Sequence, residues 1–251
     1  MIRAFLFDLD GTLVQTEKIK ALSYAVAVQH LLGLSQPDQR AIEAYREVVG
    51  ESRDIASQYI IEKLELQHKL LPLMAKYRVS QPGEVLTAMR TAIYADMVSD
   101  PKILRENQWP YTVELLRVAR EATCKTALVT MSKRSDALHV LHTLGIERLL
   151  DLIVTAEDIR QGKPDPEGYI LAANRLQVEP HECLVLEDSV NGVQAAQAAG
   201  MNVIAIATPF TNAALHSDQI IEHAWIVHEP EKLAETVQRR IEEYNRTIHG
   251  G

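Results

Sequence analysis

The 251-residue chain is 47% hydrophobic and 24% charged, enough apolar material for one substantial core or a core with a modest second domain. A formal net charge of −8, with no basic stripe, argues against a nucleic acid or membrane partner and leaves small anions held by a local cluster of cations. Residues 1–14 lack the apolar core and cleavage site of a secretory leader, and no apolar run is long enough to span a bilayer. With Cys124 and Cys183 far apart and each beside a predicted strand, two buried free thiols in a reducing, cytoplasmic setting are expected.

Residues 3–8 form a short apolar run that ends in a carboxylate and is followed by Gly11, which predicts a buried strand ending in a loop. The stretch 15–104 then changes character. Its apolar spacing predicts helices over 21–32, 41–49, 55–64 and 85–97, with no convincing strand, so it reads as an insertion after the first strand. From about residue 111 strands and helices alternate: strands at 125–130, 151–155, 183–187 and 202–206, helices at 133–144, 166–176 and 189–200. That alternation predicts an α/β fold, a doubly wound parallel sheet with helices on both faces. The division expected is a Rossmann-like core of residues 1–14 and 105–251 with an all-helical domain of residues 15–104 inserted. Residues 230–243 predict a charged amphipathic helix with a solvated outer face.

Asp8 and Asp10 stand two apart where the first strand ends, so an extended backbone points both carboxylates to one side. Two close carboxylates repel; a divalent cation, a shared proton or an incoming electrophile can make such a pair useful. The alternative is a turn in which one Asp caps the Gly11-Thr12 loop. Thr130 ends the second predicted strand, Lys163 lies in Gly-Lys-Pro-Asp-Pro, and Glu187-Asp188-Ser189 precede Gly192 and Ala195.

Phe-Asp-Leu-Asp-Gly-Thr-Leu at 7–13 resembles the first motif of the haloacid dehalogenase superfamily. Thr130, Lys163 and Glu187-Asp188-Ser189 resemble the second, third and fourth motifs, in order. The resemblance implies phosphoryl transfer, with Asp8 as nucleophile, Asp10 as general acid and base, Thr130 on the transferring phosphoryl group and Lys163 beside both. It implies Mg²⁺ held by Asp8, Asp188 and the main-chain carbonyl of Asp10, an oxygen set suited to that ion. Glu187 is either an outer-sphere metal partner or a strand-end carboxylate, and Asp188 can also be a helix N-cap. An aspartate at position 10 argues against the dehalogenases and phosphonate hydrolases of the superfamily.

Within the insertion, Gly50-Glu51-Ser52-Arg53 resembles a cap loop of β-phosphoglucomutases and related sugar-phosphate phosphatases. Gly50, Ser52 and Arg53 are therefore candidate substrate-binding residues, with Met131, Ser132 and Lys133 after Thr130. Arg53 can grip a non-reacting phosphate bidentately, or be a helix-surface residue paired to Glu51 or Asp54. Thr16 agrees with the mutase pattern, but Lys20 replaces a histidine and Gln15 an aspartate. The resulting expectation is a phosphatase acting on a small phosphorylated metabolite, a sugar or polyol phosphate. β-Phosphoglucomutase is the alternative, and a non-catalytic binding or regulatory member of the family the third possibility. A monomer or weak homodimer is expected.

Overall fold

Ala4-Phe5-Leu6-Phe7 form strand β1 (Ala4–Phe7), with all four residues buried, as a strand covered by helices on both faces requires. The computed structural model describes residues 1–49, 53–217 and 220–249. Following β1 the chain forms α1 (Thr16–Leu32), α2 (Gln39–Arg46), α3 (Arg53–Lys63), α4 (Gln67–Leu70), α5 (Met74–Tyr77), α6 (Pro82–Ser99), α7 (Pro101–Glu106) and α8 (Pro110–Glu121). Then come β2 (Lys125–Val129), α9 (Arg134–Leu144), β3 (Leu152–Val154), α10 (Glu167–Leu176), β4 (Cys183–Glu187), α11 (Val190–Ala198), β5 (Asn202–Ile206), α12 (Asn212–Ser217), β6 (Ile226–Val227) and α13 (Leu233–His249). The chain divides into two compact units, Met1–Gln15 with Leu104–Gly251, and Thr16–Ile103.

The first unit is a six-stranded sheet in the order β3-β2-β1-β4-β5-β6, parallel throughout. β1 lies between β2 and β4, and Phe7 is level with Leu128 on one side and Leu186 on the other. The next residues along, Asp8, Val129 and Glu187, therefore share one level at the carboxyl edge. The chain turns from one half of the sheet to the other beside β1, the switch point at which open parallel sheets bind ligands. Below that edge Leu6, Ala127, Val185, Val193, Tyr169 and Val203 belong to one apolar cluster. The two chain segments flanking the insertion are tied inside this unit: Gln15 N donates to the Asn107 carbonyl at 2.7 Å, Trp109 N to Leu13 at 2.9 Å, and buried Thr112 Oγ1 to the Thr12 carbonyl at 2.6 Å.

In the second unit α1 packs against α2 and α6, and α3 against α6. Tyr24, Ala25, Val28, Ile60, Ile61, Val85 and Leu86 are buried there. Pro82 starts α6 in its first turn, and Glu84 closes a capping box by accepting from the Gln81 amide at 2.8 Å.

Two expectations need correction. Cys183 is buried, its thiol pushed up to about 12 by burial, but Cys124 is only half-buried, because it lies in the turn one residue before β2. Both are free thiols. The elements named from sequence also omit α8, although its buried Thr112, Val113, Leu116 and Ala119 keep helical spacing, and β6, which at two residues is too short to show a period. Among the described residues no helix is long and apolar enough to cross a membrane.

Candidate active site

Asp8 immediately follows β1, anchored by its amide to the Leu186 carbonyl at 3.0 Å. Its carboxylate is buried and accepts from Lys163 Nζ at 2.6 Å. That ammonium also donates to the Val129 carbonyl at 2.9 Å and to Glu187 Oε1, so its three protons meet three acceptors from the ends of three adjacent strands. Burial works against its charge, yet the Asp8 and Glu187 carboxylates hold Lys163 well above the ordinary lysine value. Burial likewise pushes the Asp8 carboxyl up to about 8, against the pull of Lys163 and with the added repulsion of Glu187 and Asp10.

Glu187 is fully buried and its oxygens are fully engaged. Oε1 accepts from Lys163 and, at 2.8 Å, from Tyr169 OH. Oε2 accepts from the Asp188 and Ser189 amides at 3.1 and 3.2 Å and from Ser189 Oγ at 3.1 Å. Those amides precede α11, whose N-cap is Ser189, accepting from the Gly192 amide at 3.0 Å. Gly192 has to lack a side chain, since a Cβ there would stand 1.9 Å from the Glu187 carboxylate. The N-cap role open to Asp188 thus falls to its neighbour.

Ligand atoms of Asp8, Glu187 and Asp188 lie within 4.8 Å of one another. Gly11, at φ +86°, faces this group; a Cβ on it would fall 2.0 Å from Asp188 Oδ2, so the loop after β1 has to lack a side chain here for that carboxylate to lie against its backbone. An all-oxygen, anionic donor set of this kind fits a hard divalent cation such as Mg²⁺.

Asp10 is treated differently. It is half-buried, outside the carboxylate group, and its Oδ2 accepts from Ser132 Oγ at 2.6 Å. Ser132 is held in turn by its amide, which donates to Thr130 Oγ1 at 3.0 Å. Thr130 is buried and bonded through its own amide to Val154 at 3.0 Å, which leaves its hydroxyl proton to donate elsewhere. Met131 is exposed but lies on the Gly162 backbone, its Cε 2.3 Å from where a Cβ would be, and so packs on the loop that carries Lys163. Lys133 is exposed at the N-cap of α9.

The remaining candidates belong to the helical unit. Arg53 is exposed at the start of α3; Gly50 and Ser52 lie outside the described residues. Lys20 donates to Glu17 Oε1 at 2.6 Å, and Glu17 Oε2 accepts from Tyr45 OH. Sequence reasoning missed Tyr169, which is fully buried, bonds Glu187 and carries the Lys163 ammonium 5.2 Å from its ring centroid. Nothing in its helical apolar spacing separates it from an ordinary core aromatic.

The haloacid dehalogenase-like hydrolase family model matches residues 2–200. The chain belongs to this family. It is similar to the phosphorylated carbohydrates phosphatase of Thermotoga maritima, 29% identical over 203 residues that cover 81% of this chain and 84% of that protein. It is also 29% identical over 223 residues to the validoxylamine A 7'-phosphate phosphatase of Streptomyces hygroscopicus subsp. limoneus, covering 88% and 93% of the two chains. A crystal structure of β-phosphoglucomutase from Clostridium difficile superposes with a TM-score of 0.67 over 99% of each chain at 23% identity, a likeness of fold. The six-stranded parallel sheet with its helices is this hydrolase family's Rossmann-like fold.

Proposed function

We propose that this hydrolase is a Mg²⁺-dependent phosphatase that cleaves a small phosphomonoester, a sugar or polyol phosphate, through an aspartyl phosphate on Asp8. One observation carries the reading: two aspartates two residues apart have opposite surroundings, Asp8 buried against Lys163 and Asp10 half-buried against Ser132. Two carboxylates in different environments can take two roles.

Asp8 attacks phosphorus, forming the Asp8 Oδ–P bond as the ester P–O bond breaks. Lys163 places positive charge beside the attacking oxygen, and the Thr130 hydroxyl donates to a phosphoryl oxygen. Asp10, oriented by Ser132, gives its proton to the leaving alkoxide and then takes one from the water that attacks the acyl phosphate. That second attack forms a P–O bond, breaks Asp8 Oδ–P and releases orthophosphate. Asp8 and Asp188, with the Asp10 carbonyl, would hold Mg²⁺. When bound, the cation offsets the charge that pushes Asp8 up, keeps its carboxylate ionised and neutralises the phosphate dianion. Glu187, counted among the metal residues from sequence, already receives five donors; we assign it to anchoring Lys163 beside the ligands.

Two relatives named as phosphatases, one for phosphorylated carbohydrates, support the substrate class. Against a mutase, the position of its histidine holds Lys20, engaged with Glu17. We take Met1–Gln15 with Leu104–Gly251 as the catalytic unit and Thr16–Ile103 as the cap; two free thiols suit a cytoplasmic enzyme. The test is phosphate release from p-nitrophenyl phosphate and a panel of sugar and polyol phosphates. Expected is release that excess chelator lowers at least 10²-fold and Mg²⁺ restores. Chelator-insensitive release, or interconversion of β-glucose 1-phosphate and glucose 6-phosphate in place of hydrolysis, would overturn it.

A further inference from the structure

The helical unit contains a buried cation that the chemistry above does not use. Arg90, on α6, is 4% exposed. Its Cζ lies 5.2 Å from the ring centroid of Tyr24, on α1, and 5.5 Å from that of Tyr94, one turn further along α6. Its Nε and Nη1 are buried and have no hydrogen-bond partner. Among the described residues no carboxylate forms an ion pair with it. The hydroxyl groups beside Tyr24 are engaged with one another or with other groups: Tyr24 OH bonds Ser57 Oγ at 3.2 Å, Ser57 Oγ bonds Thr87 Oγ1 at 2.7 Å, and Tyr45, packed on the Tyr24 ring, donates to Glu17.

Burying a guanidinium costs far more than ring faces return, and an aromatic face accepts no ordinary hydrogen bond from Nε–H or Nη1–H. Lys163, likewise hidden from water, has an acceptor for each proton; Arg90 has two buried nitrogens, Nε and Nη1, with none. Charged N–H donors of this kind suit the oxygens of a phosphate, sulfate or carboxylate. We propose that Arg90 anchors an oxyanion-binding site inside the helical unit, with the aromatic rings of Tyr24 and Tyr94 as its walls. The ligand class is a small inorganic oxyanion or the anionic group of a small metabolite. Its residues all belong to the helical unit.

The test is thermal unfolding of the full chain in excess chelator, with sodium phosphate replacing chloride at constant ionic strength. Chelator removes phosphate attraction from the sheet edge, where three carboxylates face one lysine. Phosphate should raise Tm by about 2 °C or more, Arg90→Met should lose that rise and Lys163→Met should keep it. Sulfate and acetate arms show whether a tetrahedral or a planar anion is preferred, and because phosphate and sulfate stabilise most proteins by exclusion, only a rise that Arg90→Met loses supports the site. No rise with any of them in the wild type, a rise undiminished in Arg90→Met, or a rise lost in Lys163→Met would overturn it. Should Arg90→Met fail to fold, Arg90→Lys takes its place: it keeps the charge without the guanidinium and should lose most of the rise, and a rise that it keeps in full would overturn the site.

Discussion

The two units of this hydrolase handle buried charge in opposite ways. At the sheet edge Lys163 is surrounded by Asp8, Glu187 and the Val129 carbonyl, and Glu187 takes donors on both oxygens. In the helical unit Arg90 is equally hidden from water but has two nitrogens without acceptors. The difference follows from the architecture. Parallel strands deliver acceptors at a regular spacing of about 4.7–4.9 Å to one edge, where a single ammonium can reach three of them. Helices satisfy their own backbone, so a cation buried between them must find side chains or a ligand. One region is organised before substrate arrives; the other is arranged to receive something.

Four substitutions sharpen that contrast. The largest effect is expected for Asp8→Asn, which removes the nucleophile while keeping its shape; turnover should fall by roughly 10⁴-fold or more with an unchanged circular dichroism spectrum. Residual activity within tenfold of wild type in a purified sample would break the mechanism. Asp10→Asn should slow turnover by on the order of 10²-fold to 10⁴-fold, and more for alkyl than for aryl phosphates, because a poor leaving group depends on the proton that Asp10 supplies. Equal losses for the two leaving-group classes would deny it the acid role.

Lys163→Met leaves the buried Glu187 carboxylate without its counter-charge, a change worth about 3–5 kcal/mol against the folded state. Urea unfolding should register most of that loss at neutral pH, and a loss below about 1 kcal/mol would mean the pair behaves like a surface contact. The smallest effect belongs to the exposed residue. If Arg53 holds a second anionic group of the substrate, Arg53→Ala should raise KM for sugar phosphates by the equivalent of about 1.5–3 kcal/mol and leave p-nitrophenyl phosphate unaffected. Parallel losses for both, or none, place Arg53 on the helix surface.

The order of elements, the parallel sheet and the residues at its edge were legible in the sequence, because buried parallel strands are short apolar runs and their chemistry sits in the loops that end them. The strand ends read at 183–187 and 202–206 agree with β4 and β5 to the residue, and Asp8, Thr130, Lys163 and Asp188 were all singled out from their motifs. Register was not legible: that Asp8, Val129 and Glu187 share one level depends on pairing between strands more than 100 residues apart in sequence. Nor was the role of Glu187, whose five donors come from α10, α11's N-terminal turn and the Lys163 loop. Tyr169 and Arg90 show the same division. Each occupies an ordinary position in a helical pattern, and only the packing of other elements around them determined that one hydroxyl would meet a carboxylate and that two nitrogens of one guanidinium would meet no acceptor.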